Sequence, residues 1–169
     1  MKKIILMLLF MVIILTACEP LHLYFTKEEY LNQIESIELI KYNNENYKDV
    51  DPSIDEIIFN FDKVETIEVL DRDMFEEFLT DYEEIEFHID NCSVNEPTGY
   101  CLVWYLKNGN FIVFSCTGTH AEGVYSMCSE FDSESKFIKH YADFASRPHY
   151  DKVLDKYFEN YNIDWLPYI

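Results

Sequence analysis

The hydrophobic pattern divides this chain into one long apolar run and a series of short amphipathic segments. Ile4 to Leu15 is unbroken apolar sequence. After it the period shortens. Thr26, with Glu29 three residues on, has the form of a capping box, and Tyr30, Leu31 and Ile34 supply the stripe of a short helix. Ile37 to Tyr42 reads as a strand, and residues 43–56, polar and broken by Pro52, as a loop. Ile57 to Phe61 and Val64 to Leu70 read as extended. Asp71 caps a helix running to about Tyr82, in which Met74, Phe75, Phe78, Leu79 and Tyr82 recur at helical spacing. Ile85, Phe87 and Ile89 then alternate with Glu86, His88 and Asp90, the mark of a half-buried strand. Segments 100–107 and 110–117 flank Asn108-Gly109, a strong hairpin signal, and 124–131 forms a further strand. Asp132 or Ser133 opens a helix carrying Phe137, Ile138, Tyr141 and Phe144. Pro148 suits the first turn of a last helix with Val153, Leu154, Tyr157 and Phe158. These elements predict an α+β domain: an antiparallel sheet of about five to six strands with helices packed mainly on one face. No repeat or Pro/Gly linker divides residues 26–169, so they read as one domain.

A two-residue turn at 108–109 sets Trp104 opposite Val113 and Cys101 opposite Cys116. Pairing 85–92 with 101–108, so that Ile89 meets Trp104, sets Cys92 opposite Cys101. Three cysteines then share a row, and two disulfide frameworks follow. One joins Cys92–Cys101 and Cys116–Cys128, keeping both loops local. The other joins Cys101–Cys116 and Cys92–Cys128. Opposed strand residues lie within disulfide reach, so distance does not choose between them. Free thiols are the alternative in an anaerobic host. A zinc site is disfavoured because no C-x-x-C knuckle is present, and acidic neighbours work against a reactive thiolate.

Composition adds an address. The apolar run follows Lys2 and Lys3, is too short for a comfortable membrane span, and ends in Leu15-Thr16-Ala17-Cys18. This arrangement resembles the lipobox of bacterial lipoproteins. The resemblance implies a signal peptide over 1–17, a diacylglyceryl group on Cys18, a tether over 18–25 and a domain held at a membrane on the extracytoplasmic side. Ile37 to Ile40, Val64 to Leu70 and Tyr105 to Gly109 are similar to segments of small lipoproteins of low-GC Gram-positive bacteria, a resemblance that brings no activity and no catalytic residues. A codon bias toward Phe, Tyr, Ile, Asn and Lys fits such a source.

The whole chain carries 32 acids against 13 bases, and two of those bases lie in the leader. Such a chain repels phosphates, which argues against nucleic acid as a partner. Twelve acids fall between residues 62 and 90 against two bases, Lys63 and Arg72. Among them Glu65, Glu68, Glu76, Glu77, Glu84 and Glu86 form a candidate face for a basic peptide or protein, or simply a solvated surface. Asp49, Asp51 and Asp55 offer oxygen atoms but lack the order of a calcium loop, so no metal site and no cofactor is expected. His88 with Asp90, and His120 in the loop Gly118 to Gly123, are weak acid–base candidates without a nucleophile. The tail Ile163 to Ile169 reads as packing onto the domain. The phosphate-loop, dinucleotide, zinc-protease and serine-hydrolase motifs are absent from the sequence. The reading is a non-catalytic lipoprotein that binds a ligand or partner. The alternatives are an immunity-type lipoprotein capturing a cationic toxin and an unmarked hydrolase or thiol-redox enzyme.

Overall fold

The computed structural model describes residues 22–42, 59–88, 99–120, 123–142, 144–145 and 147–161. In chain order the strands are β1 (His22–Leu23), β2 (Ile34–Tyr42), β3 (Val64–Val69), β4 (Phe87–His88), β5 (Gly99–Leu106), β6 (Phe111–His120), β7 (Gly123–Phe131), β8 (Phe137–Ala142) and β9 (Phe144–Ala145). The helices are α1 (Lys27–Tyr30), α2 (Phe75–Tyr82) and α3 (Arg147–Tyr157). The strands form one antiparallel sheet in the order β1-β4-β9-β7-β6-β5-β2-β3, with β8 also beside β7. Six of them are six residues or longer, as the α+β reading anticipates, and three two-residue strands extend one end of the sheet.

Alternation along the central strands creates two apolar faces. Leu102, Trp104, Ile112, Phe114 and Cys128 join the larger core, where every buried helical side chain also lies, including Tyr30, Phe78, Leu79, Tyr82, Leu154 and Tyr157. Ile40, Tyr42, Cys101, Val103, Phe111, Val113 and Phe131 form a second core with Phe59. Aromatic rings dominate the first. Phe25, on the link from β1 to α1, meets Phe87, Trp104 and Phe114 edge-on at centroid separations of 5.1, 5.7 and 5.0 Å.

Four local readings change. The β5–β6 turn spans three residues instead of two. Leu106 N–H donates to Asn110 O at 2.8 Å, and Gly109 N–H donates to Leu106 O at 2.9 Å. Gly109 takes φ 90°, the left-handed closing position of a three-residue hairpin loop. The register therefore shifts by one, and Cys101 faces Ser115 while Cys116 pairs with Ser126. A one-residue shift exchanges the faces of a strand. Cys101 is therefore not opposite Cys116, and Cys101 and Cys128 lie in different cores. Cys128 carries a free, buried thiol, and the side chain of Cys116 lies outside the described residues. Cys92 lies outside the described residues.

The second change concerns Phe137–Ala142 and Phe144–Ala145, which form β8 and β9 instead of a helix. Asp132 Oδ1 accepts the N–H groups of Glu134 (2.8 Å) and Lys136 (2.9 Å), and Ser135 takes φ 66°. That makes Asp132 the pivot of a hairpin turn, not a helix cap. Phe137, Ile138, Tyr141 and Phe144 do have helical spacing, but ladder bonds to β7 override it, and Ile138 is left exposed.

Third, β5 pairs with β2 and not with the segment 85–92. Ile37 meets Trp104 and Leu39 meets Leu102, while β4 lies between β1 and β9. The nine residues of β2 offer a longer apolar ladder than β4 does. Fourth, Thr26 makes no side-chain cap on α1. Glu83 Oε2 accepts the Lys27 N–H at 2.9 Å instead, so a carboxylate just beyond α2 caps the start of α1, and Ile34 begins β2.

Candidate functional site

The chain leaves the second core through Phe59, whose N–H donates to Ser135 O at 3.0 Å. Asn60 N–H donates to Tyr42 Oη at 3.0 Å, and Asn60 Oδ1 accepts the Asp62 N–H at 2.9 Å. These bonds wind Phe61–Lys63 into one turn of 3-10 helix and lift the Phe61 ring outward. Phe61 is 45 % exposed, although its ring sits 5.1 Å from Phe59 and 5.3 Å from Phe111. Phe111 in turn stacks on Phe131 at 5.4 Å. A shallow depression of about 500 Å³, largely open to solvent, lies here between Phe61 and Glu134 and Ser135 of the β7–β8 turn, with Phe59 beneath it. Asp62 and Lys63 complete its rim. The exposed Phe61 ring beside polar groups offers a surface on which a flat apolar group can stack.

Sequence reasoning missed this cleft. Phe59 and Phe61 read as part of an extended segment, and Glu134 and Ser135 as the start of a helix. The available signal was Asp132 with Ser135 between two apolar runs, a turn as well as a cap.

The acidic candidates are scattered, and most have internal partners. Glu68, on β3, accepts the N–H groups of Glu159 (3.2 Å) and Asn160 (3.0 Å) just beyond α3. Glu76 lies 3.5 Å from Lys27. Glu77 lies 2.9 Å and Asp81 2.7 Å from Lys156. Glu86 stands 4.0 Å from His88. Glu65 is exposed on β3 opposite Lys41, and Glu84 is exposed beyond α2.

The α2–α3 seam explains much of this. Glu77, Asp81 and Glu84 recur at helical spacing along and just beyond α2, and His149, Lys152 and Lys156 recur along α3. Asp81, Glu84, His149, Lys152 and Lys156 line a cavity of about 160 Å³ between the two helices. The hydrogen bond from Lys156, aided by one from Tyr157 at 2.8 Å, holds the Asp81 carboxyl below its ordinary value. The same bond to Asp81 raises Lys156. Burial, with Asp81 alongside, pushes the Tyr157 hydroxyl up to about 12.

Two further groups have the make-up of acid–base pairs. Ser129 Oγ lies 3.2 Å from His140 Nδ1 across β7 and β8, but the serine is buried. Tyr141 Oη donates to Glu130 Oε2 at 2.6 Å, and Asn110 Nδ2 donates to Glu130 Oε1 at 2.8 Å, so that half-buried carboxylate is satisfied on both oxygens. Burial raises the Cys128 thiol well above its ordinary value, reinforced by Glu130. His88 is half-buried on β4, and Asp90 is outside the described residues. His120 belongs to β6 rather than to a loop, pairing with Gly123. The leader with Cys18, the loop holding Asp49, Asp51 and Asp55, and the tail Ile163 to Ile169 also lie outside the described residues.

Among the described residues no His, Cys, Asp and Glu side chains gather as a cation site, and no helix is long and apolar enough to cross a membrane. No family model, curated protein or solved structure matches this chain.

Proposed function

We propose that this chain is a lipid-anchored, extracytoplasmic binding lipoprotein whose ligand enters the cleft beside Phe61. The anchor reading rests on Leu15-Thr16-Ala17-Cys18 after a charged and then apolar leader. The observation that carries the binding reading is the Phe61 ring. It is held outward by its own turn, above buried rings and within a polar rim. An exposed aromatic fixed in this way presents a stacking face at low entropic cost. A ligand with one flat apolar face and polar edges fits, such as a sugar or an aromatic side chain of a peptide.

The test is saturation-transfer NMR with a panel of oligosaccharides, aromatic amino acids and short basic peptides. A panel member that binds the native protein loses its signal in Phe61→Ala and keeps it in Glu84→Gln. Binding untouched by Phe61→Ala overturns the cleft reading. Binding lost in Glu84→Gln and abolished by salt supports instead the capture of a cationic partner. That second reading is the less favoured, because four of its six candidate carboxylates, Glu68, Glu76, Glu77 and Glu86, engage groups of this same chain. Lipidation is tested by mass spectrometry of the Cys18 peptide and its loss of acyl chains in Cys18→Ala.

A further inference from the structure

We infer that the β1 edge of the sheet is the face this protein lays against the bilayer, with the β3 edge pointing away. The inference rests on the lipid anchor at Cys18 proposed above, and its occupant is the bilayer that holds those acyl chains. Cys18 and His22 are four Cα steps apart, so the tether reaches at most about 15 Å however it runs. Its far end has no slack. His22 pairs with His88 and Leu23 with Phe87 in the ladder, and Phe25 is 1 % exposed within the larger core. β1 is also the outermost strand at its end of the sheet. The lipid is therefore fastened, by a short leash, to a rigid edge and not to a mobile tail.

The chemistry of that edge suits the position. Tyr24 is 46 % exposed between Leu23 and buried Phe25. A tyrosine with an apolar ring and a polar tip is at home at headgroup depth. β3 ends the sheet at the other extreme of the strand order. The turn carrying Phe61 leads directly into β3.

The experiment uses the full lipidated protein in vesicles of phosphatidylcholine and phosphatidylglycerol. A benzoylphenylalanine photo-crosslinker replaces Tyr24 in one sample and Val69 in another, both exposed positions. Lipid adducts are expected at position 24 and not above background at position 69. A flexible Gly/Ser insertion directly after Cys18 lengthens the leash and is expected to abolish the adduct at position 24. Equal adducts at both positions, or an adduct at 24 that survives the insertion, overturn the orientation while leaving the anchor standing. A Cys18 peptide without acyl chains overturns the anchor, and the orientation with it.

Discussion

Phe25→Ala is the sharpest test of how the N-terminal segment is held. The ring is 1 % exposed and touches five others, with centroids at 5.6 Å (Tyr30), 5.1 Å (Phe87), 5.7 Å (Trp104), 5.0 Å (Phe114) and 5.6 Å (Tyr141). Truncating a buried phenylalanine costs about 3–5 kcal/mol, because the lost transfer energy adds to the cavity left behind. Edge-on aromatic pairs contribute about 0.5–1.5 kcal/mol beyond area burial, which places this site toward the top of that range. With a urea slope of about 2 kcal/mol/M, a loss of about 4 kcal/mol moves the unfolding midpoint down by about 2 M. Phe25→Leu keeps part of the volume but loses the ring contacts, so its midpoint should fall between those of Phe25→Ala and the native protein. Phe61→Ala, at an exposed ring, should stay within about 0.5 kcal/mol of the native protein. The assay is urea unfolding followed by tryptophan fluorescence on all three variants. A midpoint shift for Phe25→Ala no larger than that for Phe61→Ala, at unchanged slope, would refute the claim that Phe25 locks β1 to the core.

Three other outcomes follow from named geometry. Gly109→Ala forces a side chain into φ 90° while its Cβ meets Ser133 Cβ at 3.4 Å, an ordinary contact, so backbone strain alone should cost about 1–2 kcal/mol by thermal unfolding. Asp81 is held below its ordinary pKa when folded, so the stability it adds is present above its unfolded pKa and is lost as the pH falls through its folded value. Asp81→Asn should therefore flatten the stability profile from about pH 4 downward, and an unchanged acid limb would count against the Lys156 contact. Cys128 should resist iodoacetamide in the native protein and be alkylated, without reductant, once guanidinium unfolds it; a mass showing it in a disulfide would contradict the free buried thiol.

Elements whose signal is local were legible in the sequence. α2 follows its apolar spacing from Phe75 to Tyr82, and β5, β6 and β7 appear close to where alternation places them. What failed depended on one residue more or less, or on partners far along the chain. Asn108-Gly109 marks a hairpin, but a glycine in the left-handed region serves a two-residue or a three-residue loop equally well. Only the ladder decides, and the choice reverses which face Cys101 takes. The spacing of Phe137, Ile138 and Tyr141 satisfies a helix and also a strand that leaves Ile138 in water. Pairing with β7 is the deciding energy, and it is invisible locally. The turn at Asp132 and Ser135 could be read locally, but its pairing with Phe59 could not, for the same reason. Phe59 and Ser135 meet through one backbone hydrogen bond across a long sequence gap, and neither residue carries a motif.

The acidic excess has a different bearing on the fold than its size implies. At the α2–α3 seam Glu77 and Asp81 meet Lys156 at the surface, while directly beneath them Phe78 meets Tyr157 at 5.2 Å and Phe158 at 6.2 Å. An exposed ion pair is worth about 0–1 kcal/mol, whereas burying each of these rings contributes about 1.5–3 kcal/mol. The rings therefore hold α3 to the domain, and Lys156 adds an exposed ion pair to Glu77 and Asp81 above them. Glu68 adds to this at the end of α3, accepting two backbone N–H groups where the chain leaves the helix. Removing these carboxylates should loosen the alignment of α3 before it threatens the core. A surface so acidic can thus change its net charge widely while Phe78, Tyr82, Trp104 and Phe114 keep the same fold.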